Sequence, residues 1–193
     1  MFDCISCDKC IPVCPNDANF YFEIEPIGIE YNNVEIVPQG WKKTTGGSFA
    51  IKEKHQIGNF ADACNECGNC DVFCPEDGGP YIEKPRFFGS LDAYKKWNTL
   101  SGFFLQSDEN KAILFGRFKD QEYELHRDQH NSGILFKNKV GQVTIQSETH
   151  DILDATGGSG STIDLRYYFV MNALLNGIIK MDRVHYVNVE IMG

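Results

Sequence analysis

Much of this chain sets apolar against polar residues at a period of two, in short runs bounded by Gly, Pro, Asn and Asp, and that pattern predicts a protein of many short strands. Residues 20–25, 34–37 and 48–52 read as strands punctuated at Gly28, at Pro38-Gln39-Gly40 and at 44–48. Together they predict a β-hairpin or small sheet, with Trp41 covering its local core. Residues 57–63 predict one more short strand. Past residue 102 the runs 103–106, 112–118, 122–126, 133–136 and 142–146, joined at 119–121 and 137–139, predict a meander. Helical signals are few. Ser90 can cap a helix over 91–97, and Ile163, Leu165, Phe169, Leu174, Leu175, Ile178 and Ile179 mark a core helix over 164–179. Residues 76–88, rich in Gly and Pro, read as a loop.

All eight cysteines fall into two runs of one pattern. Cys4, Cys7, Cys10 and Cys14 precede Pro15, and Cys64, Cys67, Cys70 and Cys74 precede Pro75, so both runs read C-x-x-C-x-x-C-x-x-x-C-P. Three cysteines spaced three apart let one tight loop bring three sulfurs onto three irons of a cube. The proline restricts the fourth cysteine to an extended conformation and directs it away. Zinc sites come as C-x-x-C pairs divided by a spacer, without a third cysteine at the same interval, and disulfide frameworks are rare in reducing compartments. Gly68 stands inside the second loop where Asp8 stands in the first, so the two sites need not have equal potentials.

The run is similar to that of bacterial two-cluster ferredoxins, in which the last cysteine of each run serves the other cluster. That resemblance implies two [4Fe-4S] clusters, one held by Cys4, Cys7, Cys10 and Cys74 and the other by Cys64, Cys67, Cys70 and Cys14.

Charge narrows the partners. The 193 residues are 42% apolar, enough for a core beyond any cluster site, and carry a formal charge of −9. A nucleic-acid partner is disfavoured, and a protein partner with a basic docking face is natural. No apolar stretch is long enough to span a bilayer, and residues 1–10 lack the layout of a signal peptide, so a cytoplasmic location is expected. His126, His130 and His150 lie near polar turns and read as surface or capping residues.

One segment offers a rival chemistry. A strand over 151–155, a glycine-rich turn over 157–162, the helix over 164–179 and a last strand over 184–191 follow the order of a dinucleotide-binding unit. Ile163 stands where the third glycine belongs, no Lys enters the turn, and Glu190 lies about 30 residues past it instead of about 20. The plainer reading is a turn whose Ser161 or Thr162 caps the helix.

The first run with Asn16-Asp17-Ala18-Asn19 behind it, and more narrowly Asp62-Ala63-Cys64-Asn65-Glu66-Cys67-Gly68-Asn69-Cys70 through Phe73-Cys74-Pro75 to Gly79-Pro80-Tyr81, resembles the C-terminal part of the YgfK-type selenate reductase subunit family. The resemblance covers about the first 90 residues. In that family a flavoprotein module precedes a two-cluster ferredoxin-like region; here the flavin and nicotinamide modules are absent, and no residue selects selenate. The resemblance implies an electron-transfer module or subunit, without activity alone, between a flavoprotein using FAD and NAD(P)H and a second redox partner. The expected fold is α+β. A two-cluster ferredoxin-like domain over 1–88, with an inserted β-hairpin or small sheet at about 20–60 projecting from it, precedes a β-meander plus helix domain over 89–193 of unassigned role. Two other functions stay open: clusters as staples of a binding protein, and a nucleotide-binding enzyme using the glycine turn.

Overall fold

A computed structural model describes residues 1–76, 78–182 and 185–189. Its larger sheet begins where the first cysteine run ends. Strand β1 (Asn19–Glu23) pairs antiparallel with β4 (His55–Phe60), and β5 (Arg86–Phe88) then joins β4 in parallel. From β5 the sheet passes, again in parallel, to β6 (Gly102–Ser107) and on through the antiparallel meander β7 (Lys111–Phe118), β8 (Gln121–Asp128), β9 (Gly133–Asn138), β10 (Gly141–Gln146) and β11 (Ile152–Gly157). Strands β7, β9 and β10 alternate buried and open positions over most of their length, as their sequences require. Asn138 closes the β9–β10 turn by accepting the Val140 and Gly141 N–H groups. The expected boundary at 88/89 falls between β5 and β6, which are hydrogen-bonded neighbours with the Phe87 and Phe103 rings 5.7 Å apart.

The insert is longer and more regular than its punctuation suggests. Strands β2 (Ile27–Val37) and β3 (Gly40–Ile51) form one hairpin turning at Pro38-Gln39, and β12 (Thr162–Ile163) extends it to three strands. Gly28 and residues 44–48 lie inside strands rather than in turns. The reason at Gly46 is steric: pairing shifts between Tyr31 and Asn32, and a Cβ at Gly46 would lie 2.2 Å from the Tyr31 carbonyl oxygen.

The hairpin does not project. Val34, Ile36, Phe49 and Ile51 give it one apolar face, and helix α4 (Arg166–Ile179) covers that face while packing its other side on the larger sheet. Phe49 stacks on Phe169 with ring centroids 6.0 Å apart, and a Cβ at Gly177 would lie 2.9 Å from the Glu23 carbonyl oxygen of β1. One apolar core therefore runs from Phe20 to Val187.

Three short helices complete the described chain: α1 (Asn69–Phe73), α2 (Pro80–Glu83) and α3 (Leu91–Lys96). Ser90 caps α3 as expected, its Oγ accepting the Ala93 N–H at 3.1 Å. Helix α2, with Pro80 at its start, forms within the stretch that reads as a loop.

The dinucleotide-type unit is not made. β11 runs antiparallel to β10, and the glycine turn leads into β12, not into a helix. Neither Ser161 nor Thr162 caps α4, whose first turn follows Leu165 without a side-chain cap. Ser161 Oγ instead donates to the Gly158 carbonyl within the turn. Of the expected strand over 184–191, residues 185–189 turn and pair in neither sheet, while 184, 190 and 191, and with them Glu190, lie outside the described residues.

Candidate iron–sulfur site

The two cysteine loops repeat one another at backbone level. Ser6 and Asp8 have φ of +57° and +54°, and the residues at the same offsets in the second loop, Glu66 and Gly68, have +54° and +79°. The turn hydrogen bonds repeat too: Ile11 N–H donates to the Asp8 carbonyl at 3.1 Å and Asp71 N–H to the Gly68 carbonyl at 3.0 Å. Cys14 N–H then donates to Ile11 and Cys74 N–H to Asp71. Left-handed residues alternating with their neighbours turn N–H groups toward the inside of a loop, which suits it to an anionic guest. Ser6 N–H donates to Cys4 Sγ at 3.4 Å, and Ala18 N–H to Cys14 Sγ at 3.2 Å.

Strand pairing brings the runs together, since β1 leaves the first and β4 leads into the second. Asn19 and Asn59 face each other across that pair, both buried, with Asn59 Nδ2 donating to Asn19 Oδ1 and Asn19 Nδ2 to the Cys10 carbonyl, each at 2.9 Å. Asn16 reaches from the end of the first run to the Ala63 carbonyl before the second, at 3.0 Å.

Cys14 therefore leaves its own run and lines one cavity with Cys64, Cys67 and Cys70, beside Asn19 and Tyr81. Cys4 and Cys10 are buried with Cys70 and Ile57 under Ile11, Val13, Tyr21 and Tyr81, whereas Cys7 and Cys67 are exposed. Cys74, half-buried at the end of α1, does not line that cavity. Among the described residues, no three His, Cys, Asp or Glu side chains converge on a single metal-ion position.

Burial governs the thiols. It pushes Cys10 up to about 12, with the neighbouring Cys4 adding to the effect. Burial raises Cys4 and Cys70 as well; the Ser6 N–H works against it at Cys4, and the Asn19 side chain and the Tyr81 N–H do so at Cys70. Such thiols keep their protons when free and release them to solvent when a soft metal centre binds the sulfur. A buried set of cysteine sulfurs, with N–H groups aimed at them and apolar side chains around them, fits an iron–sulfur group.

Some supporting residues carry no sequence signal of their role. His55 Nε2 lies 2.6 Å from Asp8 Oδ1 with its ring stacked on Tyr21, so the left-handed Asp8 is held in place. The buried Lys84 amine donates to Asp3, one residue before Cys4, and Arg86 donates to Glu66 at 3.2 Å and to the Tyr81 carbonyl. His130 is an exposed turn residue bonded to Asn110, but His126 differs from its expectation: it lies half-buried inside β8, 2.7 Å from Glu124 Oε2. His150 differs from its expectation: it is half-buried and shares a hydrogen bond with the Tyr168 hydroxyl at 2.9 Å.

Residues 1–77 match the model of a protein family described as "4Fe-4S dicluster domain". This match supports an iron–sulfur role in electron transfer for the segment. Over 122 residues, 63% of this chain, the sequence is 34% identical to the protein of Escherichia coli (strain K12) named "Putative oxidoreductase YgfK". It matches the protein of the same name from Escherichia coli O157:H7 to the same extent. The match takes in only 9% of either relative, so the chain spans a small part of their length. No solved structure matches this chain. No helix among the described residues is long and apolar enough to cross a membrane.

Proposed function

We propose that this chain is an electron-transfer module of a multi-component oxidoreductase, with a two-cluster ferredoxin-like arrangement around its cysteine runs and no activity alone. It passes electrons between a flavoprotein using FAD and NAD(P)H and a second redox partner, in the cytoplasm, where thiols stay reduced. Cys4, Cys7, Cys10 and Cys74 hold one [4Fe-4S] cluster, and Cys64, Cys67, Cys70 and Cys14 the other. The observation that carries this reading is the presence of Cys14 in the cavity of the second run's three cysteines.

When bound, each cluster supplies a centre that takes up and gives back an electron. The chain does the rest. The Ser6 and Ala18 N–H groups donate to cysteine sulfur and offset its negative charge, which tunes the potential. Ile11, Val13, Tyr21 and Tyr81 keep water from the buried sulfurs. The Asn19–Asn59 bridge fixes one run against the other, so both centres share one rigid frame.

Iron and sulfide analysis, with electron paramagnetic resonance after dithionite reduction, tests the proposal. Two interacting reducible clusters are expected; redox-silent clusters would mark them as staples of a binding protein. Cys67→Ala should damage one cluster and interrupt transfer, and a wild-type rate in that variant would refute the relay.

A further inference from the structure

The second run carries an apolar patch that its own loop geometry does not require. Val72 is 81% exposed, Phe73 53% and Ile82 60%. The first two project from α1 between Cys70 and Cys74, and Ile82 lies on α2. The two helices are packed closely enough that a Cβ at Gly79 would lie 2.8 Å from the Asp71 Cβ. In the first run the residues between Cys10 and Cys14 are Ile11, Pro12 and Val13, and there Ile11 and Val13 pack under the apolar cover of the cysteines. By position Val13 corresponds to Phe73, half-buried in the first loop and exposed in the second, while Pro12 and its counterpart Val72 are both exposed.

Charge identifies what covers the exposed copy. Between residues 61 and 83 the chain carries Asp62, Glu66, Asp71, Glu76, Asp77 and Glu83, and no Lys, Arg or His. The cations that follow turn inward: Lys84 is buried against Asp3, and Arg86 is engaged by Glu66 and the Tyr81 carbonyl. Exposed apolar side chains set in an acidic stretch are complementary to an apolar contact ringed by Lys and Arg. A second copy of this chain, at −9, would bring the same acidic rim against itself.

Building on the electron-transfer reading above, we infer that Val72, Phe73 and Ile82 are the docking face for a redox protein whose own contact is rimmed by basic residues. Electrons then cross beside α1, where Phe73 adjoins Cys74, in the reading above a ligand of the cluster that the first run holds.

Cytochrome c, a redox protein with a lysine-ringed contact face, serves as probe, and a small neutral quinone as control acceptor. The cluster-loaded full chain is reduced with dithionite, freed of excess reductant and mixed with each. Cytochrome c reduction should slow about tenfold in Val72→Ser/Phe73→Ser. It should slow as much, and lose its decline with added salt, in Asp71→Lys/Glu76→Lys. Quinone reduction and iron content should stay as in wild type. Cytochrome c rates equal to wild type in both variants, at unchanged iron content, would overturn the docking face while leaving the relay intact. Failure of wild type to reduce the quinone would instead overturn the relay itself.

Discussion

The two cysteine runs have the same spacing, the same left-handed residues and the same turn hydrogen bonds, yet different surroundings. The first is tied into the body of the protein. Phe2 packs edge-on against Phe49 of β3 at 6.3 Å, Asp3 takes the buried Lys84 amine, and Asp8 meets His55 of β4. The second ends in a short helix that presents Val72 and Phe73 to solvent. A metal-binding spacing dictates where the backbone turns and where the sulfurs go; the residues beside and between the ligands decide where the loop is tied down, as at Phe2, Asp3 and Asp8, and where it meets solvent, as at Ile5, Val72 and Phe73.

Removing the iron should give the largest effect. Residues 1–18 and 61–68 contain no helix or strand, so their order rests on the bound group, single turn hydrogen bonds and a few side-chain ties. Anaerobic chelation should abolish amide-exchange protection in both loops while β6 to β10 keep theirs. Protection surviving in the first loop alone would mean that its ties to the core suffice without metal.

Exchanging single ligands comes next. Cys14→Ser should erase the resonance signal that Cys64→Ser erases, and Cys74→Ser the one that Cys4→Ser erases, each with about half of the iron lost. If Cys14→Ser behaves as Cys4→Ser does, the runs bind separately and do not interlock.

The ties themselves should rank in order. Asp3→Ala leaves the buried Lys84 amine without its carboxylate and should cost about 2 kcal/mol. Glu66→Ala leaves Arg86 its bond to the Tyr81 carbonyl and should cost under about 1 kcal/mol, because Glu66 is exposed. Urea unfolding of the two holo variants measures both. Of similar size is Gly68→Ala, at about 1 kcal/mol or less: no atom obstructs the added Cβ, and only the φ of +79° opposes it. Asp8→Gly should nearly cancel, easing a φ of +54° while losing the His55 contact.

A mild pH effect belongs to the scaffold and not to either run. Burial first, and then the Arg127 charge, hold His150 below its ordinary 6.5. Below pH 6.5 the unfolded chain takes up a proton that the folded chain refuses, so the stability present above that pH is lost as pH falls. His150→Gln should flatten this limb in thermal melts taken between pH 7 and 5.

The meander was legible because its strands alternate and its turns carry Asn, Asp or Gly at the required places. The cysteine spacing likewise announced the chemistry. What stayed hidden depends on distant partners. Gly46 reads as a turn residue until Tyr31 is placed against it, and His150 reads as a surface residue until Tyr168 comes up beneath it. The hairpin reads as a projection because the helix that covers it arrives more than a hundred residues later, where Asn33 Oδ1 accepts the Leu165 N–H at 3.1 Å. Asn19 shows the same limit at the site itself, since its role depends on Cys10 and Asn59 together.

Strand β5 has only three residues, Arg86–Phe88, and it bears on how such a carrier can be moved between proteins. Phe87 is fully buried, with β4 on one side and β6 on the other. A gene fusion cut at this point would leave two raw sheet edges, one on each fragment, both open to unwanted pairing. The iron-binding segment is therefore not a detachable cassette. Whatever host receives it must take the meander as well, or supply a strand of its own to stand where Phe103 does.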